Sequence, residues 1–269
     1  MDTPRRTPAE PPGHAREVVA VRLVGGPTAL VESGGLRLLT DPTFDPPGPI
    51  ASGTRTLVKT TGPAVRPTEL GDLDAVLLSH DQHADNLDLR GRALLADVPV
   101  TLTTPVAAER LGGTASGLAP WEHLVLGRPD GRSVRITAVP AQHGPDNTEH
   151  LTGPVTGFVL TADDTPTVYI SGDNASLDVV ARIAERFAPV DIAVLFAGAA
   201  RTPLLDGYLT LTSDQAARAA RLLRARTVIP VHSEGWQHFT EGPDDLRAAF
   251  TRHGLDNLLV LAPGDSVTL

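Results

Sequence analysis

The chain has 269 residues, 41% of them hydrophobic, with 23 Lys and Arg against 32 Asp and Glu and no cysteine. That hydrophobic content supports a substantial core and excludes a disordered chain, while the missing cysteine excludes disulfides, a thiol nucleophile, iron–sulfur chemistry and a cysteine-rich zinc module. The net charge of −9, with no basic footprint, argues against nucleic acid as a partner and leaves room for a small anionic substrate held by a few arginines.

Residues 1–15, rich in Pro, Arg and Thr, read as a flexible tail. No apolar stretch follows Arg5-Arg6, so a cytoplasmic protein is expected. No run approaches the roughly 20 apolar residues of a membrane span. Residues 16–269 read as one domain. Val18–Val24, Thr28–Glu32 and Leu36–Leu39 are β-rich runs separated by Gly-rich turns, an opening antiparallel meander. Residues 42–67 carry Pro, Gly and Thr with weak periodicity and read as a long loop, its 43–62 part suited to covering a site. Ala75–Leu78 is a buried strand. Leu87–Leu95 reads as a helix, Val100–Thr103 as a strand and Pro105–Leu111 as a helix with proline in its first turn.

A second β-rich set follows at Leu124–Leu126, Ser133–Val139, Thr156–Thr161 and Thr167–Ile170. Ala175–Phe187 reads as a helix, Ile192–Phe196 as a buried strand, and Ser213–Leu223 as a helix that Ser213 can cap. Val228–Val231 is a strand, Asp244–Phe250 a helix and Leu258–Leu261 a last strand. This order predicts an α/β fold of two packed sheets with helices outside, a four-layer αββα sandwich.

His80, His143, Asp173 and His232 each follow a strand-like run. Such positions sit on loops held by a rigid sheet and can converge on one rim. The segment His80–Asp88 alone holds two histidines and three aspartates within nine residues, a density that packing does not explain. Imidazole with carboxylate suits a divalent transition metal: zinc, or manganese or iron where oxygen ligands dominate. His123, His150, His238 and His253, taken singly, read first as ordinary structural histidines. Asp41-Pro42 reads equally as a turn or as a carboxylate that orients a ligand histidine.

Five segments together resemble the metallo-β-lactamase fold hydrolases, in a branch similar to ascorbate-6-phosphate lactonase and N-acyl phosphatidylethanolamine phospholipase D. They are Leu38-Leu39-Thr40-Asp41-Pro42, Leu77-Leu78-Ser79-His80-Asp81, Ala141-Gln142-His143-Gly144, Ser171-Gly172-Asp173 and Ile229-Pro230-Val231-His232, in the family's order. The family's His-x-His-x-Asp-His motif departs here. With one inserted residue, His80 and His83 take the two histidines, Asp85 the aspartate, and Asn86 stands where the last histidine would be. The resemblance implies one metal site of His80, His83 and His143, and a second of Asp85, Asn86 and His232, with Asp173 bridging. The amide oxygen of Asn86 is a weaker ligand than imidazole, so one or two ions are expected.

The implied activity is hydrolysis of a small ester, lactone or amide by a metal-bound hydroxide that Asp85 orients and whose proton it can accept. Two alternatives stand beside it: a phosphodiesterase or phospholipase of the same fold, and a diverged single-metal protein with lyase or isomerase chemistry or ligand binding. Trp236, His238 and Arg201 are candidates for lining the substrate pocket. The sequence leaves a homo-oligomer open.

Overall fold

The structure, a computed structural model, describes residues 17–53 and 55–269. The expected tail at residues 1–15 lies outside the described residues. Strands β1 (Val19–Gly25), β2 (Thr28–Ser33) and β3 (Leu36–Thr40) form the expected meander. A separate hairpin, β4 (Gly48–Ser52) and β5 (Arg55–Lys59), precedes β6 (Ala75–Leu77). Helix α1 (Leu89–Leu94), β7 (Thr101–Thr103), α2 (Pro105–Leu111) and β8 (Ala115–Gly117) complete the first half. The second half contains β9 (His123–Gly127), β10 (Ser133–Pro140), α3 (Glu149–Thr152), β11 (Thr156–Thr161), β12 (Val168–Ile170), α4 (Leu177–Phe187) and β13 (Ile192–Phe196). It ends with α5 (Ser213–Leu223), β14 (Thr227–Val231), α6 (Pro243–Arg252) and β15 (Ser266–Thr268).

Seven strands, in the order β15-β1-β2-β3-β6-β7-β8, make one sheet, and six, β14-β13-β12-β11-β10-β9, make the other. Period-two alternation decides which side chains face where. Leu38 and Leu77 point between the sheets, where they share a core with Ile136, Phe158, Ile170, Val194 and Ile229. Leu39, Val76 and Leu78 point outward and pack with Leu87 and Leu95. On the far side, Ala193, Leu195 and Tyr169 meet Val180 and Ile183 of α4, Ala216 and Ala220 of α5, and Phe250 of α6. Strands buried on both faces read as continuous apolar runs, as β6 and β13 do. The result is the expected four-layer sandwich. Among the described residues no helix is long and apolar enough to cross a membrane.

Strands β3, β6 and β7 run parallel, as do β12, β13 and β14. Two antiparallel steps align β10 with β12. Asp41, Ser79-His80, Asp173, Gly198 and His232 therefore all follow strands that end in the same sense within their own sheet, and His143 follows β10.

Several expected elements differ. The 42–67 loop contains the β4–β5 hairpin, whose alternating half-exposed residues are mostly Pro, Ala, Thr and Gly, so its periodicity is faint. It docks through Ser52 Oγ, which accepts from the Ala84 amide at 3.1 Å, and Val58 O, which accepts from Gln237 N at 3.0 Å. Leu258–Leu261 is not a strand: only Leu258 bridges to Val228. Its apolar residues serve packing against both cores, and the sheet edge is β15, which pairs with β1. Strand β8, made of Ala, Ser and Gly, has no β-branched signal to find. Helix α5 is capped one residue earlier than expected, by Thr212 in a reciprocal box with Gln215.

Candidate metal centre

The first cluster is built outward from Asp41. The chain turns at the end of β3 with Asp41 at φ 27°, a conformation that costs an L-residue roughly 1–2 kcal/mol. This aims its carboxylate at the segment after β6. Oδ1 accepts from Ser79 N at 2.6 Å, and Oδ2 accepts from Ser79 Oγ at 2.7 Å and from Asn86 Nδ2 at 3.0 Å. Ser79 has then given its one hydroxyl hydrogen to Asp41, so its oxygen accepts from His80 Nδ1 at 2.9 Å. His80 Nε2 is left as a bare lone pair. His143 is set similarly: Nδ1 donates to Leu209 O at 2.8 Å, leaving Nε2 free to accept.

Both lone pairs face His83 Nδ1, at 2.8 Å from His80 Nε2 and 3.2 Å from His143 Nε2. A turn closed by Asn86 N and Leu87 N onto His83 O, at 3.1 and 3.0 Å, absorbs the inserted residue and brings His83 back to the cluster. The three nitrogens lie within 4.8 Å of one another and would suit a small cation, which would relieve their mutual repulsion. Burial, then the neighbouring imidazoles, hold His80 well below its ordinary value of 6.5. Burial, then His143, push His83 down to about 4, and the charge of Arg55 acts in the same direction. Both are neutral at pH 7, the form that ligates. Burial outweighs the hydrogen bonds to Asn86 and Ser79 and pushes Asp41 up to about 7.

The second cluster is Asp85, Asp173 and His232, all buried. Asp85 Oδ2 lies 3.2 Å from His232 Nε2, and Asp173 Oδ1 lies 3.6 Å from the same nitrogen. Asp173 Oδ2 is buried without a hydrogen-bond partner, a costly state for a carboxylate that a cation would remedy. The same oxygen is 3.6 Å from His143 Nδ1, the nitrogen turned to Leu209 O and away from His83. Burial raises Asp85, but the charges and hydrogen bonds of His238 and His232 outweigh it and hold the carboxyl well below its usual range. Burial lowers His232, and Asp173 and Asp85 more than reverse this.

His232 follows β14 in the left-handed region, φ 54°. Its ring is held between Phe196 and Phe239, at centroid distances of 5.4 and 4.2 Å. Gly198 leaves space for this turn: a Cβ there would overlap the His232 carbonyl oxygen.

Asn86, expected as an oxygen ligand, is turned the other way. Its NH2 donates to Asp41 Oδ2 at 3.0 Å and to Asp173 Oδ1 at 3.1 Å, the only orientation that serves both carboxylates, and its Oδ1 is buried unpartnered. His238 is closer to the chemistry than a pocket wall: its Nε2 is 2.9 Å from Asp85 Oδ2. Trp236, expected to line the pocket, is 3% exposed, packs on Gly26 and lies under the Lys59 ammonium. It is an anchor of the core, as an aromatic flanked by Gly and docked on a hairpin can be. Arg201 borders a small cavity with Arg55, His83, Asp85, His143 and His238. It also stacks over Tyr208 and pairs loosely with Asp206 at 3.8 Å. Arg55, which borders the same cavity, and the Leu209 carbonyl, which meets His143, carry no local signal in the sequence.

The shifts set an acid limit for the metal-free protein. From pH 6.5 down to about 4, the unfolded chain protonates His80 and His83, which the folded protein keeps neutral. Folded Asp41, in turn, holds a proton in that range that the unfolded chain releases. The unfolded side gains about one proton net, so stability falls by roughly 1 kcal/mol per pH unit as pH drops. Thermal midpoints after chelation at pH 4.5, 5.5 and 6.5 should decline in that direction; a midpoint that rises toward pH 4.5 would contradict the assignment.

Residues 36–233 match the family described as the β-lactamase superfamily domain. A UPF0173 metal-dependent hydrolase of Nitratidesulfovibrio vulgaris (strain DP4) is 30% identical over 252 residues, 89% of this chain and 90% of the relative. A UPF0173 metal-dependent hydrolase of Pyrococcus furiosus is 26% identical over 256 residues, covering 94% of this chain and 100% of the relative. The isothiocyanate hydrolase from Delia radicum gut bacteria shares the fold at a TM-score of 0.77 and 23% identity, over 92% of this chain and 98% of that one. The histidines and aspartates that the strand ends bring together thus stand on a scaffold shared with these hydrolases, and the chain belongs to the metallo-β-lactamase superfamily, within its UPF0173 family of metal-dependent hydrolases.

Proposed function

We propose that residues 16–269 act as one cytoplasmic, lactonase-like domain that hydrolyses a small ester, lactone or amide. In this reading His80, His83 and His143 hold one divalent cation, and Asp85, Asp173 and His232 hold a second. The three-imidazole set suits zinc, and the carboxylate-rich set zinc, manganese or iron. The observation that supports it most is the first cluster, where hydrogen bonds to Ser79 and Leu209 leave two imidazole lone pairs aimed at His83.

Cations bound there supply Lewis acidity, acidifying water and polarising the attacked carbonyl. The chain does the rest. Asp85, kept ionised by His238 and His232, accepts the proton of the attacking water at Oδ2. His238 Nε2–H, on that same oxygen and bordering the cavity, gives its proton to the departing group and takes up in its place the one held at Asp85 Oδ2. The Asp41–Ser79 pair keeps His80 in register, as outer hydrogen bonds do for ligand histidines.

Metal analysis of protein purified without chelators tests this. About two transition-metal ions per chain are expected, with His143→Ala losing one of them. Chelation should abolish turnover across a panel of lactones and esters, and added zinc or manganese should restore it. Less than one ion per chain would overturn the proposal.

A further inference from the structure

We infer that Arg55 anchors an oxyanion, a carboxylate or phosphate, that the substrate carries away from its scissile bond; this rests on the metal sites proposed above. Arg55 shares one cavity with His83, Asp85, His143, Arg201 and His238. Its guanidinium donates to the neutral hydroxyl of Thr202 and, among the described residues, pairs with no carboxylate. Other arginines differ: Arg37 meets Glu32, Arg110 meets Asp81, and Arg128 meets Asp164.

A free guanidinium that faces a cluster able to hold cations is repelled by them. The arrangement becomes favourable when an anion lies between, and the planar fork of arginine fits carboxylate and phosphate oxygens in pairs. The β4–β5 hairpin holds Arg55 there. Lys59 at its end is buried against Asp88 at 3.1 Å, and Ser52 and Val58 are tied to Ala84 and Gln237. Arg201, which borders the same cavity, adds a second positive group whose own pairing with Asp206 is long and exposed.

Calorimetric titration of the metal-loaded protein with butyrate, glutarate and 4-phosphonobutyrate separates the possibilities, since all three offer one carboxylate and only the last two offer a second anionic head. Glutarate or 4-phosphonobutyrate should bind at least about ten-fold more tightly than butyrate, and the stronger of the two names the oxyanion. Arg55→Gln retains a side-chain donor for Thr202 without the charge and should bring the ratio near one; Arg55→Lys should keep part of it. A ratio near one in the unaltered protein, or one that survives Arg55→Gln, overturns the assignment. Metal content of the same sample distinguishes the failures. Metal bound without discrimination sinks the role of Arg55 alone, whereas a protein that takes up no metal sinks the metal-site reading and this one with it.

Discussion

Replacing Asp85 by Asn should lower kcat by about three orders of magnitude while the first cluster still takes up its ion. The substitution keeps the shape of the side chain and removes its charge. Asp85 Oδ2 is the single oxygen on which His232 Nε2 and His238 Nε2 converge, at 3.2 and 2.9 Å. A neutral amide cannot take the proton of an attacking water, and it weakens the second cation site by losing one of its two carboxylates. His238→Gln should cost about a hundred-fold and alter the pH–rate profile, because it removes the proton path to the cavity and one of the two imidazoles that keep Asp85 ionised. Steady-state kinetics on any hydrolysed substrate, together with metal content, reads both effects. Turnover of Asp85→Asn within a factor of three of the unaltered protein would overturn the role given to this residue.

Asp88→Ala should destabilise the fold by about 3–5 kcal/mol. The only lysine of the chain, Lys59, is 4% exposed. Burial pulls its pKa down, and Asp88 opposes this through charge and a hydrogen bond. The same carboxylate accepts from Asp45 N at 2.6 Å and, as the cap of α1, from Gly91 N at 2.8 Å. Removing it strands a buried ammonium and two amide donors, and the lost cap alone is worth roughly 1 kcal/mol. Denaturant unfolding gives the value, and Lys59→Met added to Asp88→Ala should recover part of the loss, since the cation is then gone as well. A loss under about 1 kcal/mol for the single change would show that Lys59 reaches water easily.

His80, His83, Asp85, His143, Asp173 and His232 were legible in the sequence because each follows an apolar, β-rich run or lies in the dense His80–Asp88 segment. Strand ends are where a sheet displays side chains, so order along the chain translated into position on a rim. The roles of Asn86 and Trp236 were not legible. Whether an amide offers its oxygen or its nitrogen depends on the neighbours it meets, and Asn86 meets two carboxylates. Whether an indole lines a cavity or fills the core depends on what docks over it, here Lys59 of the hairpin.

The cysteine-free composition restricted any centre to imidazole and carboxylate, and the hydrophobic pattern determined two sheets with helices outside. Those properties are local and periodic, and they survive being read one residue at a time. Tertiary structure alone decided that Ser79 passes the pull of Asp41 to His80, that a carbonyl from residue 209 orients His143, and that His238 shares an oxygen with His232. It alone decided that a hairpin with almost no sequence signal brings Arg55 to the centre. Each of these joins residues far apart in the chain through directional contacts a few ångströms long, and no local pattern specifies where such partners meet.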